Sequence, residues 1–375
     1  MKTTVIQFGT SRFLQAHADL FLSEGTPARV ITVVQTSGDA GRSRRLAALA
    51  AQEGYPVRIR GLLDGRLIDE TRMVTSVRRC LSAATDWDEV KRVFVEEAAF
   101  VLSNTGDAGF ESRPEDGEAD YRPAMSFPAK LYHLLAARHA AGAGPVVVMP
   151  MELVVDNGAV LRRAVLAVAR RQGADDGLVS YIEDGIVWAN SLVDRIVSAP
   201  IEPAGAVAEP YALWAIEKGP GVVAPCAHPA ILMVDDLKEI ERLKLHILNL
   251  GHTALVDLWL RQGGGGDPIV REFIARPEVM AELAALYRDE VLPVFVHLGQ
   301  GEAAERYLAV TLERFANPCL DHRLADIAQN HAQKVERRIG AFLNLARRAG
   351  YTRPQARLAA IAGGQYQVHA AQKQT

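Results

Sequence analysis

Short apolar runs alternate with helix-like segments through the first half of this chain, and that alternation restricts its fold more than any other feature. Runs of strand length lie at 4–8, 29–34, 74–81, 100–104 and 145–151. Parallel strands need a long crossover, usually a helix, whereas antiparallel strands can be joined by a tight turn. The last of these runs is apolar throughout, as expected of a strand that is covered on both faces. From residue 1 to about 195 the alternation therefore predicts an α/β domain with a doubly wound, mostly parallel sheet.

The first strand-to-helix transition has the form of a dinucleotide-binding turn. The strand Thr4–Phe8 ends at Gly9, and residues 11–23 follow with helical periodicity. A tight glycine turn at this point directs the N-terminus of the helix towards a pyrophosphate. Only one glycine of the usual G-x-G-x-x-G is present, so this motif alone also fits an ordinary strand–helix turn. Together with the alternation, it predicts a Rossmann-like N-terminal domain.

The end of the second strand bears on the choice between NAD and NADP. Domains that select NAD often carry Asp or Glu there for the ribose hydroxyls, and this chain has Gln35. Asp39, Arg42, Arg44 and Arg45 follow. The three arginines would suit a 2′-phosphate, and they equally fit the solvated face of a helix. The residues at this position leave both cofactors open.

A change in composition divides the chain in two. Residues 200–225 are rich in Pro, Ala and Gly, and from Ile269 onwards nearly every segment is helical in pattern. A chain of 375 residues is long enough for two hydrophobic cores. We predict a dinucleotide-binding domain at 1–198 and a mainly α-helical substrate domain at 199–375.

Composition and charge exclude several classes of partner. The net charge is −3, with cations and anions interspersed, so we expect no nucleic-acid partner and no membrane-surface patch. No apolar run reaches the roughly 18 residues of a membrane span. The chain enters its first strand without a signal core, and its three cysteines are far apart, so we expect a cytoplasmic protein. The oligomeric state does not follow from the sequence.

The stretch Leu243–Leu260 carries the strongest indication of chemistry. On an α-helix, Lys244, Asn249 and His252 would lie at about 0°, 140° and 80° around the axis, within about 12 Å along it. The other positions are mostly apolar, which predicts a largely buried helix. Each polar residue singly fits a satisfied core network, because unpaired burial is costly. The three together favour a functional site.

The spacing Lys-x4-Asn-x2-His resembles the signature of the long-chain polyol dehydrogenases, the mannitol dehydrogenase family. The resemblance extends to four further segments: SNTGDAGF from Ser103, NSLVDRI from Asn190, EPYALW from Glu209 and RFANP from Arg314. The first and third are similar to the tagaturonate reductase (altronate oxidoreductase) branch. Asp326 stands where mannitol dehydrogenases have an arginine. The resemblance therefore favours an aldonate or keturonate substrate over mannitol.

The resemblance implies a metal-independent NAD(P)-dependent oxidoreductase that interconverts a sugar alcohol or aldonate with its keto partner. Lys244 would be the general base, Asn190 and Asn249 would polarise the reacting oxygen, and His252 would orient the substrate. Lys334 stands at a position where the family has a basic substrate-binding residue. NAD is expected from the family's habit, with NADP as the alternative. The expected cofactor contacts are Gly9, Phe13, Gln35, Asn104 and Thr105, although a turn role fits the last two as well.

Two other functions are also compatible with these candidate site residues. A sugar-phosphate dehydrogenase would need a basic cluster, for which Lys334, Arg337 and Arg338 are available, unless they form a solvated helical face. A non-catalytic sensor would bind NAD(P) or a sugar without turnover. Zinc is not expected, because His246 and His252 would lie about 120° apart on a helix and could not share one ion.

Overall fold

The structure is a computed structural model that describes residues 2–37 and 40–364, apart from the side chains of 40–44 and 107–108. Asp39, the side chains of Arg42 and Arg44, and the tail from Gln365 lie outside the described residues. The strands are β1 Val5–Phe8, β2 Ile31–Gln35, β3 Tyr55–Leu63, β4 Arg66–Val74, β5 Val77–Ser82, β6 Phe100–Ser103, β7 Val147–Pro150, β8 Val187–Trp188, β9 Ser191–Asp194, β10 Val197–Pro200, β11 Ala206–Ala208, β12 Leu213–Glu217 and β13 Ile231–Val234.

The α-helices are α1 Arg12–Ala16, α2 Ala18–Glu24, α3 Ala40–Leu49, α4 Trp87–Glu96, α5 Phe127–Ala140, α6 Asn157–Arg171, α7 Asp176–Asp184, α8 Leu237–Leu243, α9 Leu250–Arg261, α10 Val270–Ile274, α11 Pro277–Leu286, α12 Leu292–His297, α13 Gly301–Phe315, α14 Leu324–Ala328, α15 His331–Val335, α16 Ala341–Arg348 and α17 Ala356–Ala362. Three helical segments are π-turns: Lys244–Asn249, Tyr287–Val291 and Glu336–Gly340.

The main sheet has six strands in the order β5-β2-β1-β6-β7-β8, and all its pairs are parallel. Numbered only among themselves, these strands run 3-2-1-4-5-6, which is the order of a dinucleotide-binding fold. β1 and β6 are buried at every residue, as the apolar runs predicted. The predicted doubly wound sheet is confirmed. Its strand order reverses between β1 and β6, and such folds bind ligands at the carboxyl ends of those strands.

Two smaller sheets accompany the main one, in the orders β10-β11-β3-β4 and β13-β12-β9. The hairpin of β3 and β4 was not among the predicted elements. Its turn is Asp64-Gly65, with φ of 52° and 72°. An Asp-Gly pair between strands is a strong hairpin signal, because both residues tolerate positive φ.

The predicted helix at 11–23 is wrong in one respect, because it is two helices that break at His17. The backbone of His17 has φ −124° and ψ −97°, outside the helical region. Its ring is fully buried, and Nε2 lies 2.9 Å from the carbonyl oxygen of Leu213. Burial lowers the pKa of His17 to about 3, so the ring is neutral at pH 7.

The chain forms two compact units. The first comprises residues up to Arg60 together with Asp69–Leu237, and the second comprises Gly61–Ile68 together with residues from Lys238 onwards. The predicted boundary between 198 and 199 lies inside the first unit, within β10. Every element described from Leu237 onwards is an α-helix or a π-turn, which confirms a mainly helical C-terminal part. None of the helices in the described part of the chain has the length and apolar character that a membrane crossing requires.

Candidate active site

A cavity of about 340 Å³ lies in the first unit, where β1, β2 and β6 end. Gly9, Gln35, Asn104 and Thr105 line it, so the fold brings together four of the five predicted cofactor residues. Phe13 is not part of the lining, and its ring stacks on His17 with the centroids 4.7 Å apart. The remaining lining residues are Thr10, Ser11, Arg12, Thr36, Ser37, Arg45 and Gly106.

Gly9 is required by the close approach of two chain segments. Its φ is +125°, and an added Cβ would lie 2.6 Å from the carbonyl oxygen of Asn104. A side chain here would separate the β1–α1 turn from the end of β6. Gly9, the one glycine of the dinucleotide motif that this chain has, thus allows the two edges of the cavity to lie close together.

Asn104 and Thr105 belong to a partly buried network of hydrogen bonds. The Asn104 amide donates to the Met151 carbonyl at 3.0 Å and accepts from the Ser11 hydroxyl at 3.1 Å. The backbone N–H and the hydroxyl of Thr105 donate to Glu152 Oε1 at 2.9 and 3.0 Å. Burial raises the pKa of Glu152, which the sequence analysis did not predict as part of the site. Asn104 and Thr105 therefore form the edge of the cavity, and their hydrogen bonds also fit the alternative prediction that they stabilise a turn.

The charged side of the cavity carries two arginines and one glutamate. Gln35 is buried and donates from Nε2 to the Ser37 carbonyl at 2.7 Å. Arg12 and Arg45 reach the same carboxylate oxygen of Glu202, at 2.7 and 3.6 Å. The Arg45 side chain is 47% exposed, so it is a solvated group at the cavity mouth. Both interpretations of this arginine, as a phosphate ligand or as a surface cation, fit that position.

Asn190 has a fixed amide in the first unit. Its oxygen accepts from the Ala159 N–H at 3.1 Å, and its nitrogen donates to Glu217 Oε2 at 2.8 Å. Gly158 allows this packing, since an added Cβ would lie 2.4 Å from the Ala189 carbonyl oxygen. Glu217, the last residue of β12, thus orients Asn190, and no signal in the sequence pointed to this role.

Lys244 and Asn249 are the first and last residues of a π-turn in the second unit. In an α-helix, residues five apart differ by about 140° around the axis. A π-turn closes with i→i+5 bonds, so residues five apart are separated by a smaller angle than in an α-helix and lie nearer to one face. The predicted largely buried helix is observed, since 246–248 and 250–258 are buried, but it is not a regular α-helix at 244–249, and the side chains of Lys244 and Asn249 are half-buried. The wider turn therefore reduces the angle between the lysine and the asparagine around the helix axis.

His252 follows on α9 and is 7% exposed. Its ring packs against Phe315 and His322, with centroid distances of 4.5 and 4.9 Å. Burial holds the pKa of His252 well below its usual range, and nearby His322 and Arg314 lower it further. The imidazole is therefore neutral at pH 7 and has one donor and one acceptor nitrogen.

Lys334 lies on α15 and belongs to a basic cluster around His252. Its ammonium donates to the Ile327 carbonyl at 2.7 Å, and burial together with Arg338 lowers its pKa. The positive charges near His252 are those of Arg314, Arg338 and Lys334, whereas burial lowers the pKa of the neighbouring His322. Asp326 is the acidic group beside His322. Among the described residues no three His, Cys, Asp or Glu side chains gather as metal ligands would.

Residues 3–225 match the family model of the mannitol dehydrogenase Rossmann domain, and residues 236–370 match that of the mannitol dehydrogenase C-terminal domain. The chain belongs to the mannitol dehydrogenase family. The resemblance drawn from the sequence motifs is thereby confirmed, and with it membership of a family of oxidoreductases.

Relatives and solved structures agree with this assignment. The chain is 32% identical to an altronate oxidoreductase of Bacillus subtilis (strain 168), over 89% of this chain and 73% of the relative. It is 31% identical to an altronate oxidoreductase of Escherichia coli O1:K1 / APEC, over 93% and 76%. The fold is similar to substrate-free D-sorbitol dehydrogenase, with a TM-score of 0.81 and 20% identity over 96% of this chain and 80% of the other. It is also similar to Pseudomonas fluorescens mannitol 2-dehydrogenase in complex with NAD and D-mannitol, with a TM-score of 0.73 and 20% identity over 96% and 78%.

Proposed function

We propose that this protein is a nicotinamide-dependent dehydrogenase that interconverts the secondary alcohol of an aldonate or sugar alcohol with the corresponding keto compound. The observation that carries the proposal is the π-turn that places Lys244 and Asn249 on one helix face, followed by the neutral, buried His252. A base, an amide donor and an uncharged hydrogen-bonding ring are the groups that this reaction needs from a protein.

Each residue has a distinct part in the proposed reaction. A bound nicotinamide supplies the hydride acceptor for oxidation and the hydride donor for reduction. Lys244 takes the hydroxyl proton during oxidation and returns it to the carbonyl oxygen during reduction. Negative charge develops on that oxygen, and amide N–H groups of Asn190 and Asn249 stabilise it. His252 orients the substrate through a hydrogen bond to a neighbouring hydroxyl.

The cavity at the ends of β1, β2 and β6 supports a dinucleotide cofactor, because it lies where the strand order reverses. Gly9 lines this cavity and lets the β1–α1 turn lie close to the end of β6. We favour NAD, which is bound in the solved mannitol 2-dehydrogenase. NADP is the alternative, because Gln35 replaces the usual acidic residue and Arg45 stands at the cavity.

The basic cluster around His252 favours an anionic substrate. Arg314, Lys334 and Arg338 bring positive charge to this part of the second unit. A carboxylate pairs well with such groups, and the two altronate oxidoreductase relatives are named for an aldonate. The same cations would also attract a phosphate, so a sugar-phosphate dehydrogenase is the second candidate.

Turnover with a panel of substrates tests the proposal. The purified protein is assayed by nicotinamide absorbance with NAD⁺ or NADP⁺ and altronate, mannonate, mannitol, arabinitol or mannitol 1-phosphate, and with the keto partners in reverse. We expect activity with aldonates and keturonates. Activity confined to the phosphorylated sugar would establish the second candidate, and cofactor binding without any turnover would establish a sensor.

Replacing the proposed base is the second test. Lys244→Met should lower kcat by at least ~10²-fold, because no other group would take the proton, while cofactor binding is retained. Lys238→Met is the matched control, since Lys238 is an exposed lysine on the preceding helix and should keep wild-type kcat. A Lys244→Met enzyme within a few-fold of wild type would refute the assignment of the base.

A further inference from the structure

Two carbonyl oxygens of the π-turn Lys244–Asn249, those of Ile247 and Asn249, accept hydrogen bonds from side chains. Tyr287 is 1% exposed, and its hydroxyl donates to the Ile247 carbonyl oxygen at 2.8 Å. Burial raises the pKa of the Tyr287 phenol, so the hydroxyl keeps its proton and remains a donor. The Ile247 carbonyl oxygen also accepts from the backbone N–H of Leu250, so the Tyr287 hydroxyl adds a second hydrogen bond to a carbonyl of the turn.

Gly251 provides the space through which the phenol reaches this carbonyl. A Cβ at Gly251 would lie 2.0 Å from the Tyr287 hydroxyl oxygen and 3.1 Å from the ring of Phe315. Glycine inside a helix costs about 1 kcal/mol relative to alanine. A side chain at this position would displace the hydroxyl from the π-turn, so the approach of Tyr287 requires the glycine.

The last carbonyl of the π-turn is held by a second pair of side chains. The Thr253 hydroxyl donates to the Asn249 carbonyl oxygen at 3.0 Å. Arg338 Nη1 donates to the same oxygen at 3.3 Å and to the Thr253 hydroxyl at 3.1 Å. His246, within the turn, contacts the Arg338 carbonyl oxygen through Nδ1 at 3.0 Å. A carbonyl can only accept, so Nδ1 carries the proton.

We infer that Tyr287 and Thr253 are positioning residues, whose hydroxyls hold the π-turn in the register that places Lys244 and Asn249 on one face. In a regular α-helix these two residues would be separated by about 140° around the axis. The inference rests on the proposed roles of Lys244 as base and Asn249 as amide donor. Neither hydroxyl touches the reacting atoms, and each acts through the backbone of the turn.

Tyr287→Phe removes one hydroxyl and retains the ring, so it tests the inference with little change in packing. We expect kcat to fall by about 10- to 100-fold with KM within about threefold, because small misplacements of catalytic groups cost this much. Hydrogen–deuterium exchange of peptides covering 244–250 should become faster, since the turn opens more often. Both measurements are made well below the melting temperature, so global unfolding does not contribute.

Two controls separate positioning from general stability. Tyr351→Phe removes another buried hydroxyl of the second unit, one without a hydrogen-bond partner among the described residues, and should change neither measurement. Thr253→Val should repeat the effect of Tyr287→Phe, and Thr253→Ser, which keeps the hydroxyl, should restore wild-type behaviour.

The two measurements have separate consequences. Unchanged exchange at 244–250 in both Tyr287→Phe and Thr253→Val would overturn the inference, whatever happens to kcat. Faster exchange with wild-type kcat would also overturn it, because the turn would then be held without any effect on catalysis. Should the wild type show no turnover with any substrate, the proposed function fails, and exchange alone decides whether the hydroxyls hold the turn.

Discussion

At the scale of single residues, the π-turn Lys244–Asn249 depends on a hydrogen bond from a distant part of the chain. The spacing of Lys244, Asn249 and His252 was enough to indicate a functional helix. The π-turn was not predictable, because the Tyr287 hydroxyl that completes it lies 40 residues along the chain from Ile247. A π-turn depends on such distant partners, whereas periodicity reports only on neighbours within a few turns.

The hydrogen-bond partner of Asn190 was likewise not predictable from the sequence. The motif around Asn190 resembles one whose amide polarises the reacting oxygen. Its hydrogen-bond partner, Glu217, comes next to it only through the pairing of β9 with β12. One amide N–H is directed to Glu217 Oε2, which fixes the plane of the amide. A fixed amide suits a donor that must be in place before charge develops on the substrate.

We therefore predict that Asn190→Ala lowers kcat by about 10²- to 10³-fold. Glu217→Ala should have a smaller effect, about 10-fold, because the amide remains but loses its orientation. Steady-state kinetics with the preferred substrate measure both. Asn344→Ala, an exposed asparagine on α16, serves as control and should retain wild-type kcat. Wild-type turnover of Asn190→Ala would mark Asn190 as structural.

At the scale of elements, strands with a local signature were predicted and strands without one were missed. The parallel sheet includes all five predicted strands, and β1, β2 and β6, which are buried at every residue, have mostly apolar sequences. The Asp64-Gly65 turn of the β3–β4 hairpin did carry a signal, and the alternating burial of β3 agrees with it. The break between α1 and α2 at His17 had no signal in the sequence, because it depends on a contact with Leu213, which is distant along the chain.

Helix α2 and strand β3 share a buried carboxyl whose protonation should affect stability. Asp19 accepts a hydrogen bond from the Tyr55 hydroxyl at 2.6 Å, and burial raises the pKa of Asp19 to about 7. Between about pH 4 and pH 7 the folded protein keeps a proton that the unfolded chain has lost. The contribution of protonated Asp19 to the free energy of unfolding is therefore complete below about pH 4 and is lost as the pH rises through about 7.

Asp19→Asn should remove this dependence. From pH 5 to pH 8, the free energy of unfolding of the wild type should fall relative to that of Asp19→Asn, as measured by denaturant titration. The control is Asp88→Asn, because the Asp88 side chain is 97% exposed and its profile should follow the wild type. Parallel profiles for wild type and Asp19→Asn would show that Asp19 is ionised in the folded protein.

At the scale of the whole molecule, composition predicted two domains, and strand pairing determined where the compact units divide. The Pro- and Gly-rich segment after residue 200 suggested an early boundary. The structure nevertheless pairs β12, within that segment, with β9, before it, and so keeps both in the first unit. The tip of the β3–β4 hairpin, Gly61–Ile68, belongs to the second unit, where Gly65 donates its N–H to Glu313. Pairings between distant segments of this kind are not visible in composition.

The stability of the whole chain also reports which cofactor it binds, because a ligand that binds only the folded state raises the free energy of unfolding. The gain is about 2.7 kcal/mol at a concentration one hundred times Kd, and each kcal/mol raises Tm by about 2–4 °C in a domain of 150–250 residues. We predict that NAD⁺ raises Tm by several degrees and that NADP⁺ at equal concentration raises it less. Arg45→Ala should leave the NAD⁺ effect unchanged, since Arg45 is a solvated group at the cavity mouth. A larger shift with NADP⁺ that disappears in Arg45→Ala would instead identify Arg45 as the ligand of a 2′-phosphate and NADP as the cofactor.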